Sequence, residues 1–408
     1  MRISTNQIYD QNMRSILNNQ GDLAKTQNQL SSGKRLLTPS DDPVGAAKVL
    51  RLTEEIDELA QFQRNNDLVR GSLELQEAVL TNITDSVNKA RTLVIQAGNS
   101  SLNSSDRATI GEELEQIKLE LLDLMNAQDE NDNYLYAGFQ SAQPAFSFNP
   151  AAAGNAVTFQ GDTGVSYIQL SSSSKVQATS NGYEVFENVF SRFKFSVDAV
   201  NGGAVLDSAA VKQQGAFDNF YNANYDPVTP ANNDYQINFL AGNQAELVHV
   251  ATASVVETVT FNSGETFSIQ GMEFKATAAP GDSIDISFNA PEKKSMAQTL
   301  HDIQGILKDP TIDNDALEEA IADALVGLDN GMEKMSFERT SLGSRLNIAQ
   351  NNYDTNVDME IAAKVAKGAI EDLDYAEAST EFAKQEAALS AALATFPQVS
   401  NLSLFNYI

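Results

Sequence analysis

The chain has 408 residues, with 27 Lys+Arg against 55 Asp+Glu, for a formal net charge of −28. Such an acidic balance excludes sequence-independent nucleic-acid binding and adhesion to anionic lipid, since both need basic surface. Cysteine is absent, which excludes disulfides, Cys-ligated zinc, iron–sulfur clusters and thiol nucleophiles, and two histidines (His249 and His301) leave almost no room for a multi-histidine metal site. The length allows two to four domains of roughly 100–200 residues. No apolar run approaches the roughly 18 residues a membrane span requires. The opening MRISTNQIYDQNM has no apolar h-region, so a cleaved secretion signal is not expected.

The first helix is expected at about residues 6–31. Tyr9, Met13, Ile16, Leu23 and Leu30 form a heptad seam there, with Gln20 and Gln27 in the alternate seam positions. Gly33 supplies the left-handed turn that ends such a helix. In the following loop, GKRLLTPSDDP, Asp42 and Pro43 read as an N-cap and a first helical residue. A long helix should then run over 44–97, carried by Val49, Leu52, Ile56 and Leu59 and later by Leu80, Ile83, Val87, Ala90 and Val94. After the turn GNSSLNSSD, Ser105 or Asp106 can cap a third helix with the seam Ile110, Leu114, Ile117, Leu121 and Leu124.

Residues 141–290 change character, toward Gly, Ser, Thr, Val and Phe in period-two alternation. Val157 with Phe159, Tyr235–Ile237–Phe239, Val255–Val259–Phe261, Phe267 with Ile269, and Ile284–Ile286–Phe288 predict strands. Residues 206–222 are expected to hold a short helix. Helical spacing then returns. Met296, Leu300, Ile303 and Leu307 form one seam before Asp309-Pro310. From Leu317 a second long helix is expected to continue to Phe396, where Pro397 stops it. Within it Ala362, Ala366, Ala369, Leu373, Ala376, Ala383, Ala387 and Ala394 step by three and four, with Thr380 and Ser390 filling the gaps. This small stripe reads as the complement of the large Tyr9–Leu30 seam. The chain ends on LSLFNYI, whose Leu402, Leu404, Phe405, Tyr407 and Ile408 call for a docking partner.

Helix, then strand, then helix has one economical solution. The fold expected is α+β and elongated: a discontinuous coiled-coil helical bundle built from both termini, with a β-rich domain inserted in the middle. Three parts follow: a terminal coiled-coil assembly domain at 1–40 and 365–408, a helical rod at 41–140 and 291–364, and the β-rich outer domain at 141–290.

Several stretches carry a resemblance. MRISTNQIY, SSGKRLLTPSDDPVGAAKVLRL and NDNYLYAGFQS resemble the N-terminal half of the hook–filament junction proteins of the bacterial flagellum, the FlgL-type hook-associated proteins of the flagellin superfamily. LGSRLNIAQ and DLDYAEASTEFAKQEAALSAALATFPQVSNLSLFNYI resemble their C-terminal half, and GMEFKATAAPGDSIDIS resembles a strand repeat of their middle domain. The resemblance covers about residues 1–145 and 291–408. It implies a structural protein, secreted through the flagellar type III route, that forms a ring between a hook-associated protein and the flagellin filament. Flagellin itself is the alternative. The implied partners are other copies of the chain, the other junction protein, flagellin, and a cytoplasmic export chaperone that covers the C-terminal helix before export. No cofactor, nucleic acid or membrane insertion is implied.

Chemical signals are weak beside this. Neither histidine lies near a nucleophile elbow, so a Ser-His-Asp triad is not expected. Asp129, Asn131 and Asn133 imitate the first ligands of a calcium loop, but Tyr134 stands where glycine is needed and Gln140 where glutamate is needed. Asp41 and Asp42 read as helix-start residues rather than an acid/base pair. No enzymatic activity is expected.

Overall fold

The structure, a computed structural model, describes residues 5–400, with side chains described at 7 and 9–395. Seven helices are described: α1 (Thr5–Ser32), α2 (Pro43–Ala97), α3 (Ser104–Met125), α4 (Gln214–Asn224), α5 (Met296–Leu307), α6 (Asn314–Glu371) and α7 (Tyr375–Ser400). The strands are β1 (Phe146–Phe148), β2 (Val157–Phe159), β3 (Tyr167–Gln169), β4 (Lys175–Gln177), β5 (Phe195–Asn201), β6 (Val205–Val211), β7 (Asp234–Leu240), β8 (Gln244–His249), β9 (Ser254–Thr260), β10 (Thr266–Ile269), β11 (Met272–Thr277) and β12 (Ser283–Phe288). Helical termini around an inserted antiparallel β region confirm the expected α+β class.

The chain forms two compact units. One comprises the chain up to Val69, Gln169–Val176 and the chain from Ile348; the other comprises Arg70–Ile168 and Gln177–Asn347. In the first unit α1 packs along α7. Two buried asparagines, Asn66 of α2 and Asn356 of α6, donate from their side chains to the Leu170 carbonyl at 3.4 and 2.8 Å. A buried carbonyl needs such donors, and these two tie the 169–176 segment to both helices.

The second unit has a helical part and a β part. Leu80, Ile83 and Val87 of α2, Leu114 and Leu121 of α3, Leu300 of α5, and Leu328 and Leu342 of α6 are fully buried. These are the positions that three-four spacing marks. In the β part, β5-β12-β7-β8-β9 form a five-stranded antiparallel sheet and β10-β11-β6 a three-stranded one. Alternation decides their inner faces. Tyr235, Ile237 and Phe239 of β7 and Ile284, Ile286 and Phe288 of β12 point into one core, joined by Phe217, Phe220 and Tyr221 of α4 and Phe267 and Phe274 of β10 and β11. Aromatic rings meet edge-on or tilted there, for example Phe217 against Phe288 at 5.9 Å and 89°. Burial pushes the Tyr235 phenol up to about 12.

Four expectations need correction. The cap of α3 is Asn103, not Ser105 or Asp106: its side chain accepts from Asp106 N at 2.9 Å, and Asp106 answers as the third residue of a capping box. The short helix begins later than expected, because Val205–Val211 extends as β6 and pairs with β11. Strand pairing overrides the helix preference of its alanines. The last long helix is not continuous to Phe396, since it breaks at 372–374 between α6 and α7. Nor does Pro397 end α7, which runs to Ser400. Four strands, β1, β4, β5 and β6, fall outside the segments expected as strands, although Phe195, Val197 and Ala199 of β5 do alternate with polar residues.

A candidate assembly surface on the terminal helices

The break between α6 and α7 is held by the loop that follows α1. Gly33 sits at φ +72°, a conformation glycine adopts without strain, and a Cβ there would stand 2.8 Å from the Tyr375 hydroxyl. Past it the chain makes a short antiparallel bridge, Lys34 opposite Asp372. Arg35 N donates to Glu371 O at 2.7 Å, and Leu373 N donates to Gly33 O at 3.0 Å. The Arg35 guanidinium donates to the Ile370 carbonyl through Nη2 at 2.7 Å. It thereby satisfies a carbonyl that the end of α6 leaves without a helical partner, and places a cation at the negative pole of that helix. Lys34 adds an ion pair to Glu371. On the other side Asp374 caps α7, accepting from Ala376 N and Glu377 N at 2.9 and 3.2 Å. A helix stop and a helix start, three residues apart, are thus specified by separate hydrogen bonds.

The same loop prepares α2. Asp42 accepts from Gly45 N at 2.9 Å, the N-cap expected before Pro43. Asp41 folds the loop on itself, accepting from Thr38 N at 2.9 Å and pairing with Lys25 of α1 at 2.8 Å. The Lys25 ammonium, helped by the Thr38 amide, holds the Asp41 carboxyl down to about 2. In SSGKRLLTPSDDP both carboxylates are thus engaged in local structure.

At this joint α1 ends and α7 begins, so the two run antiparallel. Along α1 the covered positions are Asn12, Ile16, Asn19, Leu23, Thr26 and Leu30, stepping four-three-four-three-four, and Thr26 is the most buried. Of the residues expected in the seam, Met13, Ile16, Leu23 and Leu30 are half-covered and Tyr9 is exposed. Asn19 and Thr26 fill the alternate positions, while Gln20 and Gln27 face solvent. Along α7 the covered positions are Ala378, Phe382, Gln385, Leu389 and Ala392. Of the expected stripe, Leu373 is half-covered; Ala362, Ala366, Ala369, Ala376, Ala383, Ala387 and Ala394 are exposed. The pairing of that stripe with the α1 seam does not occur. Phe382 and Leu389 each bury more area than an alanine, so they win the inward face. Bulk at three-four spacing was the overlooked signal.

Two features follow. The inner seam is half polar, and Gln385 Oε1 is buried without a hydrogen-bond partner among the described residues. The outward surface carries the alanine stripe, with Leu17 on α1, Ile361 and Val365 on α6, and Leu393 on α7 exposed at 54–68%. Leu402, Leu404, Phe405, Tyr407 and Ile408 lie outside the described residues. Elsewhere, both His249 nitrogens are engaged, with Thr252 Oγ1 at 2.8 Å and Asn232 O at 2.7 Å. The His301 ring packs against Phe148, which Lys118 covers from the other element at 4.3 Å. Asp129 Oδ1 accepts from the amides of Asn131 and Asn133 at 2.8 and 2.9 Å, making the calcium-loop imitation a turn.

Comparison with known proteins agrees with these helices. Residues 3–141 match the bacterial flagellin N-terminal helical region. Flagellar hook-associated protein 3 of Salmonella typhimurium is 34% identical over 146 residues, 36% of this chain and 46% of that protein. The chain thus spans about half the length of the curated relatives it matches. FlgL of Xanthomonas campestris superposes with a TM-score of 0.56 at 22% identity, covering 76% of this chain and 97% of that one. The flagellar junction protein FlgL of Legionella pneumophila gives a TM-score of 0.56 at 22% identity, over 79% of this chain and 100% of that one. The chain therefore carries a flagellin N-terminal helical region within the fold of the FlgL-type hook-associated proteins, as the residues from MRISTNQIY to NDNYLYAGFQS suggested.

Proposed function

We propose that the chain is a structural subunit of the bacterial flagellum that joins a hook-associated protein to the flagellin filament, without catalysis. The observation that carries this reading is the match of its N-terminal region to hook-associated protein 3, together with the FlgL fold. In this reading the terminal helices are the assembly domain, with 1–40 and 365–408 as the contact region, 41–140 and 291–364 as a rod, and 141–290 as the outer domain. The partners are further copies of the chain, the other junction protein and flagellin, and a chaperone covers the C-terminal helix before export. The exposed stripe from Ala362 to Ala394 and the end residues Leu402, Leu404, Phe405, Tyr407 and Ile408 supply the contacts. Helical assembly needs head-to-tail surfaces rather than a two-fold one, and a stripe running over two helices is suited to that.

The test is complementation of a flagellated cell that lacks its own junction protein. The native chain should restore filaments on hooks. A variant with Leu404→Ser, Phe405→Ser and Ile408→Ser should be secreted folded and leave hooks bare; filaments and normal swimming with that variant would refute the docking role. The flagellin alternative predicts instead that the chain forms long filaments in a cell lacking flagellin.

A further inference from the structure

We infer that Asn201 is a self-modification site, at which the exposed side-chain amide converts to a carboxylate through the following glycine. The chain has three Asn-Gly pairs: Asn181-Gly182, Asn201-Gly202 and Asn330-Gly331. The chemistry requires the glycine nitrogen to lose its proton and attack the asparagine Cγ. A bond forms from Gly202 N to Cγ, the Cγ–Nδ2 bond breaks, and Nδ2 departs as ammonia. Water then opens the resulting five-membered imide at either carbonyl, leaving aspartate or its isomer with the backbone routed through Cγ. One water is consumed, one ammonia is released, and no redox partner is needed.

The fold separates the three pairs. Gly182 N is engaged with Tyr136 O at 3.0 Å, and Asn181 is buried, with Nδ2 donating to Asp162 O at 3.0 Å. Gly331 lies inside α6, where its N–H belongs to the helix, and Asn330 Nδ2 is held by Phe190 O at 2.8 Å. At the third pair Asn201 Nδ2 is hydrogen-bonded too, so what sets it apart is that both residues are exposed and Gly202 N donates no hydrogen bond among the described residues. The glycine is also obligatory there. Gly202 has φ +77°, and a Cβ would stand 2.1 Å from Asp282 Oδ1, which accepts from Gly203 N at 2.8 Å. So the small, unhindered neighbour that this reaction favours is imposed by the turn.

Conversion at this position has a structural consequence. Asn201 Nδ2 donates to Asp285 Oδ2 at 2.8 Å. Replacing that donor by a carboxylate sets two like charges against each other, with Asp282 close by. Asn201 is also the last β5 residue paired to β12, opposite Ser283, and β5 is an edge strand. The isomer, with its longer backbone, would break that final pairing.

The full-length folded chain, held at mildly alkaline pH and digested with trypsin, separates the three pairs into different peptides. Mass spectrometry should find the amide-to-acid mass change at Asn201 roughly tenfold or more faster than at Asn181 and Asn330, which need local opening first. In denaturant the three rates should converge. Equal rates in the folded chain, or a folded Asn201 that stays intact while the denatured chain reacts, would overturn the inference. The variant Asn201→Asp should show faster amide exchange at the β5–β12 end; unchanged protection there would overturn the structural consequence.

Discussion

Asp323 is the test case for how the β part is held to α6. Residues 145–290 contain only five cations, Lys175, Arg192, Lys194, Lys212 and Lys275. Three of them reach one stretch of α6: Arg192 and Lys194 pair with Asp323 at 3.2 and 2.5 Å, Lys194 also with Glu319 at 3.2 Å, and Lys212 with Glu318 at 2.8 Å. These pairs are unequal. The Arg192 side chain is 5% exposed, whereas Lys212 and Glu318 are 49% and 66% exposed. Removing one partner of a fully buried pair costs about 3–5 kcal/mol. Two facts lower that figure for Asp323→Ala. Its own side chain is a third exposed, and Arg192 keeps Gln214 Oε1 at 2.6 Å and Val211 O at 2.6 Å. A loss of about 2 kcal/mol is expected, equivalent to roughly 5 °C in the melting of the second unit. Glu318→Ala should cost at most about 0.5 kcal/mol and lose even that in high salt. The assay is thermal unfolding followed by near-ultraviolet circular dichroism of the tyrosines in the β core. If Asp323→Ala and Glu318→Ala are equally mild, or both effects vanish with salt, burial does not set the strength of these pairs.

Acid should weaken the joint after α1 within a defined window. The Asp41 carboxyl lies below its ordinary 3.8 in the folded chain, at about 2, so its contribution is full above pH 3.8 and is lost as pH falls toward 2. The stability difference between the native chain and Asp41→Asn should therefore be present at neutral pH and close below pH 3.8, measured by urea unfolding across pH. Gly33→Ala should destabilise the α1–α7 pair by about 1–2 kcal/mol, because the positive φ persists and Tyr375 must move; circular dichroism of the variant checks it. Asn19→Leu should stabilise that pair by about 1 kcal/mol and slow amide exchange in α1. In the native chain, exchange in α1 and α7 should exceed that in α3, whose Leu114 and Leu121 are fully buried.

Much of this architecture was legible because it rests on local periodicity. The bounds of α2, the Asp42 cap and the alternating strands β7, β9, β10 and β12 all follow from short-range rules. What stayed hidden depends on partners distant in sequence. Arg35 and Ile370 lie 335 positions apart, and no pattern around either predicts that one ends the other's helix. Edge and short strands such as β1 and β4 are defined by their neighbours rather than by their own alternation. The inward face of α7 was misread for a different reason. Its Ala stripe and its Phe382–Leu389 stripe both obey three-four spacing, so periodicity could not choose between them and buried area did.

If the chain assembles as proposed, that choice bears on how free copies stay apart. Consider the exposed stripe of Ala362, Ala366, Ala369, Ala376, Ala383, Ala387 and Ala394. Each alanine offers one methyl, about 0.8 kcal/mol if completely covered, so the seven together yield roughly 5–6 kcal/mol. Bringing two molecules together costs an estimated 4–15 kcal/mol in lost freedom. A single pairwise contact through this stripe is therefore marginal at best, and the net charge of −28 opposes it further. A site that offers several neighbours at once changes the sum, because the freedom is lost once while each added contact contributes. A stripe of leucines would satisfy the same geometry and would also hold two free copies together. On the assembly reading, an outward stripe of alanines with only scattered large residues beside it (Leu17, Ile361, Val365 and Leu393) keeps pairwise contact weak and favours the growing structure.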